Sequence, residues 1–105
     1  MFKIDFAADG SVALAGRLDA AHAEAAQAFL DRVPQGVVTL DLSGLEYISS
    51  AGLGVFLKTQ KRLVSGGGKL RLAGASPHLR EIFQYSGFDQ IFEILPVSKS
   101  PSSET

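Results

Sequence analysis

Two neighbouring serines, Ser49 and Ser50, occupy the position in this sequence that offers the clearest chemistry. They follow an apolar segment typical of a buried strand and precede a segment with helical spacing, so their hydroxyls fall at a predicted helix N-terminus. The small residues Ala51, Gly52 and Gly54 follow and leave that end of the helix sterically open. The pattern fits two roles: a plain serine N-cap, or a serine that accepts a phosphoryl group.

A phosphate at this position would be tolerated by the domain itself. Phosphoserine carries about −1.5 to −2 charges at pH 7. The unpaired N–H groups and the dipole of a helix N-terminus stabilise such a charge. We therefore expect phosphorylation to leave the domain folded and to act, through repulsion and bulk, on a partner that docks there. This predicts a binding switch and not an enzyme.

Residues for other kinds of chemistry are few. The chain has no cysteine and two histidines, His22 and His78, and we interpret both as solvated surface residues because no acid and nucleophile are placed around them. The Gly-x-Ser-x-Gly turn of serine hydrolases is absent. Residues 65–69, Ser-Gly-Gly-Gly-Lys, precede a strand and lack the Ser or Thr that follows the lysine of a P-loop. We expect no catalytic residue, no metal site and no cofactor.

Composition indicates one small domain. The 105 residues are 46% hydrophobic and carry a net charge of −1. This balance lacks the basic surface that binding to a nucleic-acid backbone requires. No apolar run is long enough for a signal peptide or a membrane span. We therefore expect a soluble, cytoplasmic protein with no direct nucleic-acid partner and no membrane insertion.

The first half of the chain predicts strands and one helix. Alternating apolar residues indicate two strands joined by a tight turn at residues 9–10, Asp-Gly. Asp19 is expected to act as the N-cap of an Ala-rich helix that extends to Val33. The almost continuously apolar segment 37–42 predicts a central strand that is covered on both faces and followed by a loop.

The second half predicts two more helices and two more strands. One helix begins near Ser50 and ends at the glycines 66–68, before a strand at 69–72. Its inward stripe is predicted to comprise Leu53, Phe56, Leu57, Gln60, Leu63 and Val64. Ser76 and the following proline predict the start of the last helix, Gly87 closes it, and residues 91–95 form the final strand.

The predicted fold class is therefore α/β, with the element order β-β-α-β-α-β-α-β. Strands that alternate with helices imply a mixed, mostly parallel sheet of four to five strands, flanked by helices, with an antiparallel hairpin at one edge. We expect residues 1–96 to form a single domain. The Ser- and Pro-rich residues 97–105 are predicted to be a disordered tail.

The segment around the two serines resembles the phosphorylation motif of STAS domains in bacterial anti-sigma factor antagonists. The matching residues are Asp41-Leu42-Ser43, Leu45, Tyr47-Ile48, Ser50 and Gly52-Leu53. Residues 16–19, Gly-Arg-Leu-Asp, are similar to the end of the family's second strand, and residues 75–88 to its last long helix and glycine stop. The resemblance extends from about Phe2 to Leu95 and implies a single STAS-like domain.

The resemblance also implies a partner-switching function. In such proteins the unphosphorylated antagonist binds an anti-sigma factor that is also a serine kinase of the histidine-kinase-like ATPase fold, and this binding releases a sigma factor. The kinase then phosphorylates the antagonist's serine, which ends the binding. A PP2C-type phosphatase reverses the modification. The antagonist itself has no catalytic role.

Individual positions of the motif give the expected site. Ser50 matches the family's acceptor serine. Ser49 stands where the family commonly has Asp, which leaves Ser49 as the alternative acceptor. Asp19 matches a position near the partner-facing surface. The residues expected to contact the partner are Asp19, Ser49, Ser50, Ala51, Gly52 and Leu53.

Two alternatives remain open from the sequence. The domain could be a phosphorelay receiver with Asp41 as its acceptor, although Asp5 and Asp9 do not form the acidic pair that holds Mg²⁺ in receivers. It could also be a STAS subunit of a lipid-transport complex or of a stress-sensing assembly. Neither of these would use an anti-sigma factor as its partner.

Overall fold

A computed structural model describes residues 1–96 of the chain, so the predicted disordered tail at 97–105 lies outside the described residues. Within 1–96 the α-helices and strands follow one another in the predicted order. They are β1 (Phe2–Phe6), β2 (Val12–Leu18), α1 (Ala20–Leu30), β3 (Val37–Ile48), α2 (Ser50–Ser65), β4 (Lys69–Ala73), α3 (Pro77–Tyr85) and β5 (Glu93–Ile94). One turn of 3-10 helix, Phe88–Gln90, precedes β5.

The strands form one mixed sheet in the order β1-β2-β3-β4-β5. β1 and β2 pair antiparallel as a hairpin, whereas β2, β3, β4 and β5 pair parallel to one another. Each parallel step needs a crossover connection, and α1, α2 and α3 supply these connections in turn. The prediction of an α/β domain with an N-terminal hairpin is confirmed.

The prediction that residues 37–42 are covered on both faces is wrong. Val38, Leu40 and Leu42 are buried and share one core cluster with buried residues of all three helices. The alternate residues of the strand point to the opposite face, where Val37 is 58% exposed. The segment therefore follows the two-residue alternation of a strand with one buried face, because positions 39 and 41 are polar.

β3 also extends further than predicted. It does not end at Leu42 but continues to Ile48, in place of the predicted loop. Its register against β2 shifts twice, between Ala13 and Ala15 and between Gly16 and Arg17, which is typical of β-bulges. The serine and glycine at positions 43 and 44 lie in this irregular stretch of strand, and their turn-forming composition explains why the sequence pattern indicated a loop.

Three smaller predictions also need correction. α1 ends at Leu30 and not at Val33, because the chain turns ahead of a proline that disfavours helical geometry in the residue before it. Val64, which the sequence pattern predicts on the inward stripe of α2, is 53% exposed. The final strand covers Glu93–Ile94 alone, because the turn that begins with the 3-10 helix continues through Ile91 and Phe92, whose amides both donate to the Phe88 carbonyl oxygen.

Candidate functional site

The site is built where the carboxyl ends of two parallel strands meet. The last residue of β2, Leu18, pairs with the last residue of β3, Ile48. The next amide along the chain, that of Ser49, donates a hydrogen bond of 2.9 Å to the Leu18 carbonyl oxygen. Asp19 follows β2 directly and Ser49 follows β3 directly, so the fold brings these two predicted site residues side by side.

The two serines have different roles in the helix start. Ser49 is the N-cap of α2, with extended backbone, and its Oγ accepts a hydrogen bond of 3.3 Å from the Gly52 amide. Ser49 is half-buried, whereas Ser50, the first residue of the helix, is exposed. The hydroxyl of Ser49 is thus engaged in capping, and the hydroxyl of Ser50 lies on an exposed residue at the N-terminus of α2.

The small residues after the serines serve two purposes. Gly52 is buried, and a Cβ added there would lie 2.8 Å from Leu18 Cγ and 2.8 Å from Ile48 Cγ1. Glycine therefore allows α2 to approach the ends of β2 and β3 closely. Ala51 is exposed, and Leu53 is partly buried against the core. Of these three residues, Ala51 and Leu53 offer side-chain surface to a partner.

Asp19 does not cap α1 through its side chain, contrary to the sequence prediction. It occupies the N-cap position of α1, but its carboxylate accepts a hydrogen bond of 2.8 Å from Nδ1 of His22. This hydrogen bond holds the pKa of Asp19 below its ordinary value. The His22 ring also lies 5.6 Å from the Phe2 ring, so His22 is a positioned residue and not simply a solvated one.

The start of α2 offers backbone N–H groups to an anion, and the neighbouring Asp19 carboxylate is hydrogen-bonded to His22. The first turn of α2 contains no acidic residue. α1 begins at Ala20, two residues after Leu18, the end of the strand that bonds to Ser49, so two helix N-termini lie next to the same edge of the sheet. The unpaired N–H groups of a helix N-terminus favour negative charge. The arrangement can accommodate a phosphate on Ser50 without an internal counter-charge.

Comparison with known proteins identifies the family. The family model described as "Mlab, STAS domain" matches residues 4–96. Among curated proteins, the chain is 45% identical over 84 residues to a Bordetella bronchiseptica protein provisionally named anti-sigma factor antagonist BtrV, covering 77% of this chain and 72% of the relative. It is 36% identical over 84 residues to the anti-sigma-B factor antagonist of Listeria monocytogenes, covering 77% and 74%. This chain is a STAS-domain protein of the anti-sigma factor antagonist family.

Solved structures agree with the fold. The anti-sigma factor antagonist SpoIIAA in its unphosphorylated form matches with a TM-score of 0.66 at 19% identity, covering 93% of this chain and 90% of that one. The phosphorylated form of SpoIIAA, from Bacillus, matches with a TM-score of 0.65 at 21% identity, covering 91% and 92%. The predicted resemblance to STAS domains is confirmed.

The structure of this STAS domain adds a groove that the sequence did not indicate. It runs between α1 and α2, directly after Ser50 along the helix. Its walls are formed by Ala20, Ala23, Glu24, Gln27, Ala51, Gly54, Val55 and Lys58. The signal in the sequence that indicates this groove is the alanine-rich face of α1, whose small side chains leave space between the two helices. The groove extends the exposed surface that begins at Asp19 and Ser50.

A second feature missed from sequence is a contact between Arg17 and Tyr47. The guanidinium carbon of Arg17 lies 4.3 Å from the centre of the Tyr47 ring, and the two residues pair across β2 and β3. Arg17 is exposed, and Tyr47 is half-buried. The pair lies two residues before Asp19 on one strand and two before Ser49 on the other, so it borders the site.

The receiver interpretation is wrong. A receiver sheet has the strand order 2-1-3-4-5, whereas this sheet has the sequential order β1-β2-β3-β4-β5 with an antiparallel hairpin. The Asp41 carboxylate accepts a hydrogen bond of 3.0 Å from the Ser43 amide. Within residues 1–96, no group of three or more His, Cys, Asp or Glu side chains is arranged to hold a metal ion. In the same range no helix has the length and apolarity needed to cross a membrane.

Proposed function

We propose that this STAS domain is an anti-sigma factor antagonist whose binding is switched off by phosphorylation of Ser50. The observation that carries the proposal is the position of Ser50, which is exposed at the first turn of α2. It directly follows Ser49, whose amide bonds to the carbonyl oxygen of Leu18, the residue before Asp19. A kinase can reach such a hydroxyl, and the helix N-terminus tolerates the added charge. A partner docked over the same surface would meet a doubly charged group where it had met a hydroxyl.

The same geometry favours Ser50 over Ser49 as the acceptor. The Ser49 Oγ caps α2 through the Gly52 amide, and Ser49 is half-buried. Modification of Ser49 would add a phosphate to a capping oxygen that already lies at 3.3 Å from its donor. Modification of Ser50 disturbs no side-chain hydrogen bond found within residues 1–96. Phosphorylation of Ser50 therefore changes the surface and leaves the packing intact.

The partner that we propose is an anti-sigma factor of the histidine-kinase-like ATPase fold, which would also be the serine kinase. A PP2C-type phosphatase would restore the binding form. Two relatives at 36–45% identity bear names of anti-sigma factor antagonists, which supports an anti-sigma factor as partner. SpoIIAA shares this fold in both its phosphorylated and unphosphorylated forms, which supports a switch that leaves the domain folded.

The docking surface in this proposal comprises the predicted site residues and the adjoining groove. Asp19, Ser50, Ala51 and Leu53 contribute side chains, while Ser49 and Gly52 maintain the start of α2. The domain acts by binding and has no catalytic function of its own. Such a regulator would work in the cytoplasm, where its kinase has access to ATP.

The decisive experiment maps the phosphate and measures its effect on binding. The protein is incubated with its cognate kinase and ATP, and the modified residue is located by mass spectrometry in the wild-type chain, in Ser50→Ala and in Ser49→Ala. We expect phosphate on Ser50 in the wild-type and Ser49→Ala proteins and none in Ser50→Ala. Phosphate on Ser49 in the wild-type chain would contradict the assignment.

Binding is then compared by calorimetry. Ser50→Ala should bind the kinase whether or not ATP is present, because it lacks only the acceptor hydroxyl. The phosphorylated wild-type protein should bind at least about tenfold more weakly, which corresponds to about 1.4 kcal/mol. Equal affinity of the two forms would refute the switch.

A STAS subunit of a lipid-transport complex or of a stress-sensing assembly remains the second candidate. It would share the fold and differ in its partner. Affinity capture from the native cell with the Ser50→Ala protein distinguishes the two, because this variant should retain an ATPase-fold kinase. Recovery of transporter subunits in place of such a kinase would favour the second candidate.

A further inference from the structure

The edge of the sheet formed by β1 has hydrogen-bonding groups directed away from the domain. β1 pairs with β2 on one side, and within residues 1–96 no strand pairs with its other side. The Arg17 amide donates to the Met1 carbonyl oxygen and the Ala7 amide donates to the Ser11 carbonyl oxygen. Odd-numbered residues of β1 thus bond to β2, and the alternation of an antiparallel ladder directs the N–H and C=O groups of Phe2, Ile4 and Phe6 outwards.

The sequence of this strand is complementary to itself. Residues 2–6 are Phe-Lys-Ile-Asp-Phe. An apolar residue stands at the centre and at both ends, and the two residues that flank Ile4 carry opposite charges. If two copies pair antiparallel with Ile4 opposite Ile4, the outward N–H and C=O groups of each copy face those of the other. Lys3 of each copy then lies opposite Asp5 of the second copy, in the non-hydrogen-bonded positions where side chains come closest.

We propose that the β1 edge docks a second copy of this chain and forms a two-fold symmetric dimer with one continuous sheet. The opposite charges of Lys3 and Asp5 favour a second copy as the occupant. In a two-fold symmetric interface, if Lys3 of one copy faces Asp5 of the other, then Asp5 of the first copy also faces Lys3 of the second. Within the described range, neither Lys3 nor Asp5 takes part in an ion pair of its own domain. Both charges are therefore available to the second copy.

Apolar side chains on the helix side of the same edge extend the surface. Phe6 is 57% exposed and lies 5.2 Å, ring centre to ring centre, from Phe29 of α1. His22, about two helical turns before Phe29 on α1, lies against Phe2. The exposed Ala25 lies between His22 and Phe29 on the same side of the helix. In the proposed pairing, Phe2 of one copy packs beside Phe6 of the other, and the small Ala25 leaves room for that contact.

The opposite edge of the sheet differs in the features that would permit such pairing. β5 has two residues, and its Glu93 carboxylate is held by Lys69 at 2.6 Å and by Arg71 at 3.3 Å. A short edge strand with paired charges offers little backbone and no free charge to another chain. The asymmetry between the edges predicts a closed dimer and not an open fibre.

The test is a charge-reversal cycle on the full-length, unphosphorylated protein, with mass measured by sedimentation equilibrium over a range of concentrations up to about 1 mM, where weak association is detectable. The wild-type chain should show a monomer–dimer equilibrium. Lys3→Glu should weaken the dimer about tenfold or more, since it places two acidic residues opposite each other twice per dimer. Asp5→Lys should do the same with basic residues.

The double variant Lys3→Glu/Asp5→Lys should restore dimerisation, because it re-creates the opposite charges in swapped positions. Glu81→Lys, an exposed charge reversal on α3, is the matched control and should dimerise as the wild-type chain does. A wild-type chain that remains monomeric throughout would overturn the proposal. So would a dimer that the single reversals do not weaken, or one that the double variant fails to restore. None of these results depends on the kinase, so the proposed switch at Ser50 is tested separately.

Discussion

The backbone amide of Ser49 donates a 2.9 Å hydrogen bond to the carbonyl oxygen of Leu18, and this bond joins the end of β2 to the start of α2. It explains why Asp19 and Ser50, about thirty positions apart in the sequence, can belong to one surface. The paired strands β2 and β3 end at the same level, and α1 and α2 begin directly after them. Asp19 and Ser50 are consequently held in place by backbone structure, independently of any contact between their side chains.

This close junction makes Gly52 sensitive to the smallest substitution. In Gly52→Ala the new Cβ would lie 2.9 Å from the Leu18 carbonyl oxygen as well as near two buried side chains. We expect a loss of about 1–3 kcal/mol in the free energy of unfolding, as for other overpacked sites, measured by urea denaturation. Gly54→Ala is the matched control in the same helix: a Cβ there meets nothing within 4 Å, so alanine should stabilise by up to about 1 kcal/mol. Equal effects of the two substitutions would contradict the packing described for α2.

Alanine substitutions at the two serines should have different effects on the stability of the domain, because only Ser49 caps α2 with its side chain. Ser49→Ala removes the side-chain cap of α2 and should lower the free energy of unfolding by about 0.5–2 kcal/mol. Ser50→Ala changes an exposed first-turn residue and should stay within about 0.5 kcal/mol of the wild-type value. Thermal or urea unfolding of both variants provides the measurement. A larger loss in Ser50→Ala than in Ser49→Ala would show that the capping roles are reversed.

The family and the order of elements could be predicted from the sequence because both depend on local patterns. The start of α2 at Ser50 and of α3 at Pro77 follow from capping residues that act on their immediate neighbours. The extent of β3 could not be predicted, since its continuation to Ile48 depends on bulged pairing with β2, a non-local interaction. The role of the Asp19 side chain could not be predicted for a similar reason. Its carboxylate bonds to His22 and does not cap α1, and His22 is held in place by Phe2, which is distant in the sequence.

The pairing of Asp19 with His22 predicts a pH-dependent contribution to stability. Its hydrogen bond to His22 lowers the pKa of Asp19 below the ordinary value of 3.8. A carboxyl group whose pKa is lowered on folding stabilises the folded state above its unfolded pKa, and this stabilisation is lost as the pH falls through the folded value. The contribution of this pair to stability should therefore be fully present and constant near neutral pH, and it should be lost in acid, as the pH falls below 3.8.

His22→Ala tests this assignment directly. Without the imidazole, the pKa of Asp19 should rise towards its ordinary value, which carboxyl ¹³C shifts followed by NMR titration would reveal. Asp9 is an internal control in the same experiment, because its pKa is lowered by hydrogen bonds from Ser11 and not by His22. An unchanged titration of Asp19 in this variant would mean that His22 is not the cause of the shift.

The buried amide of Gln60 shows how α2 is fixed at the end remote from the site. Its Oε1 accepts a hydrogen bond of 2.7 Å from the Leu70 amide, and its Nε2 donates one of 2.9 Å to the Ile91 carbonyl oxygen. Gln60→Leu would leave two backbone groups without these partners, at a cost of about 1–3 kcal/mol for each group that stays buried. We expect a total loss of about 2–4 kcal/mol in urea denaturation, whereas Lys61→Leu, exposed on the same helix, should change stability by less than about 0.5 kcal/mol.

Because Gln60 lies far from Ser50, a substitution there can change the stability of the domain without changing phosphorylation or partner binding. Gln60 lies ten residues after Ser50, about 15 Å along the helix axis at 1.5 Å per residue. Where Gln60→Leu remains folded, Ser50 should accept phosphate at the wild-type rate, and the partner should bind with unchanged affinity. A selective loss of binding in a folded Gln60→Leu protein would show that the partner senses the far end of α2, and the docking surface would then have to extend well beyond Asp19 and Ser50.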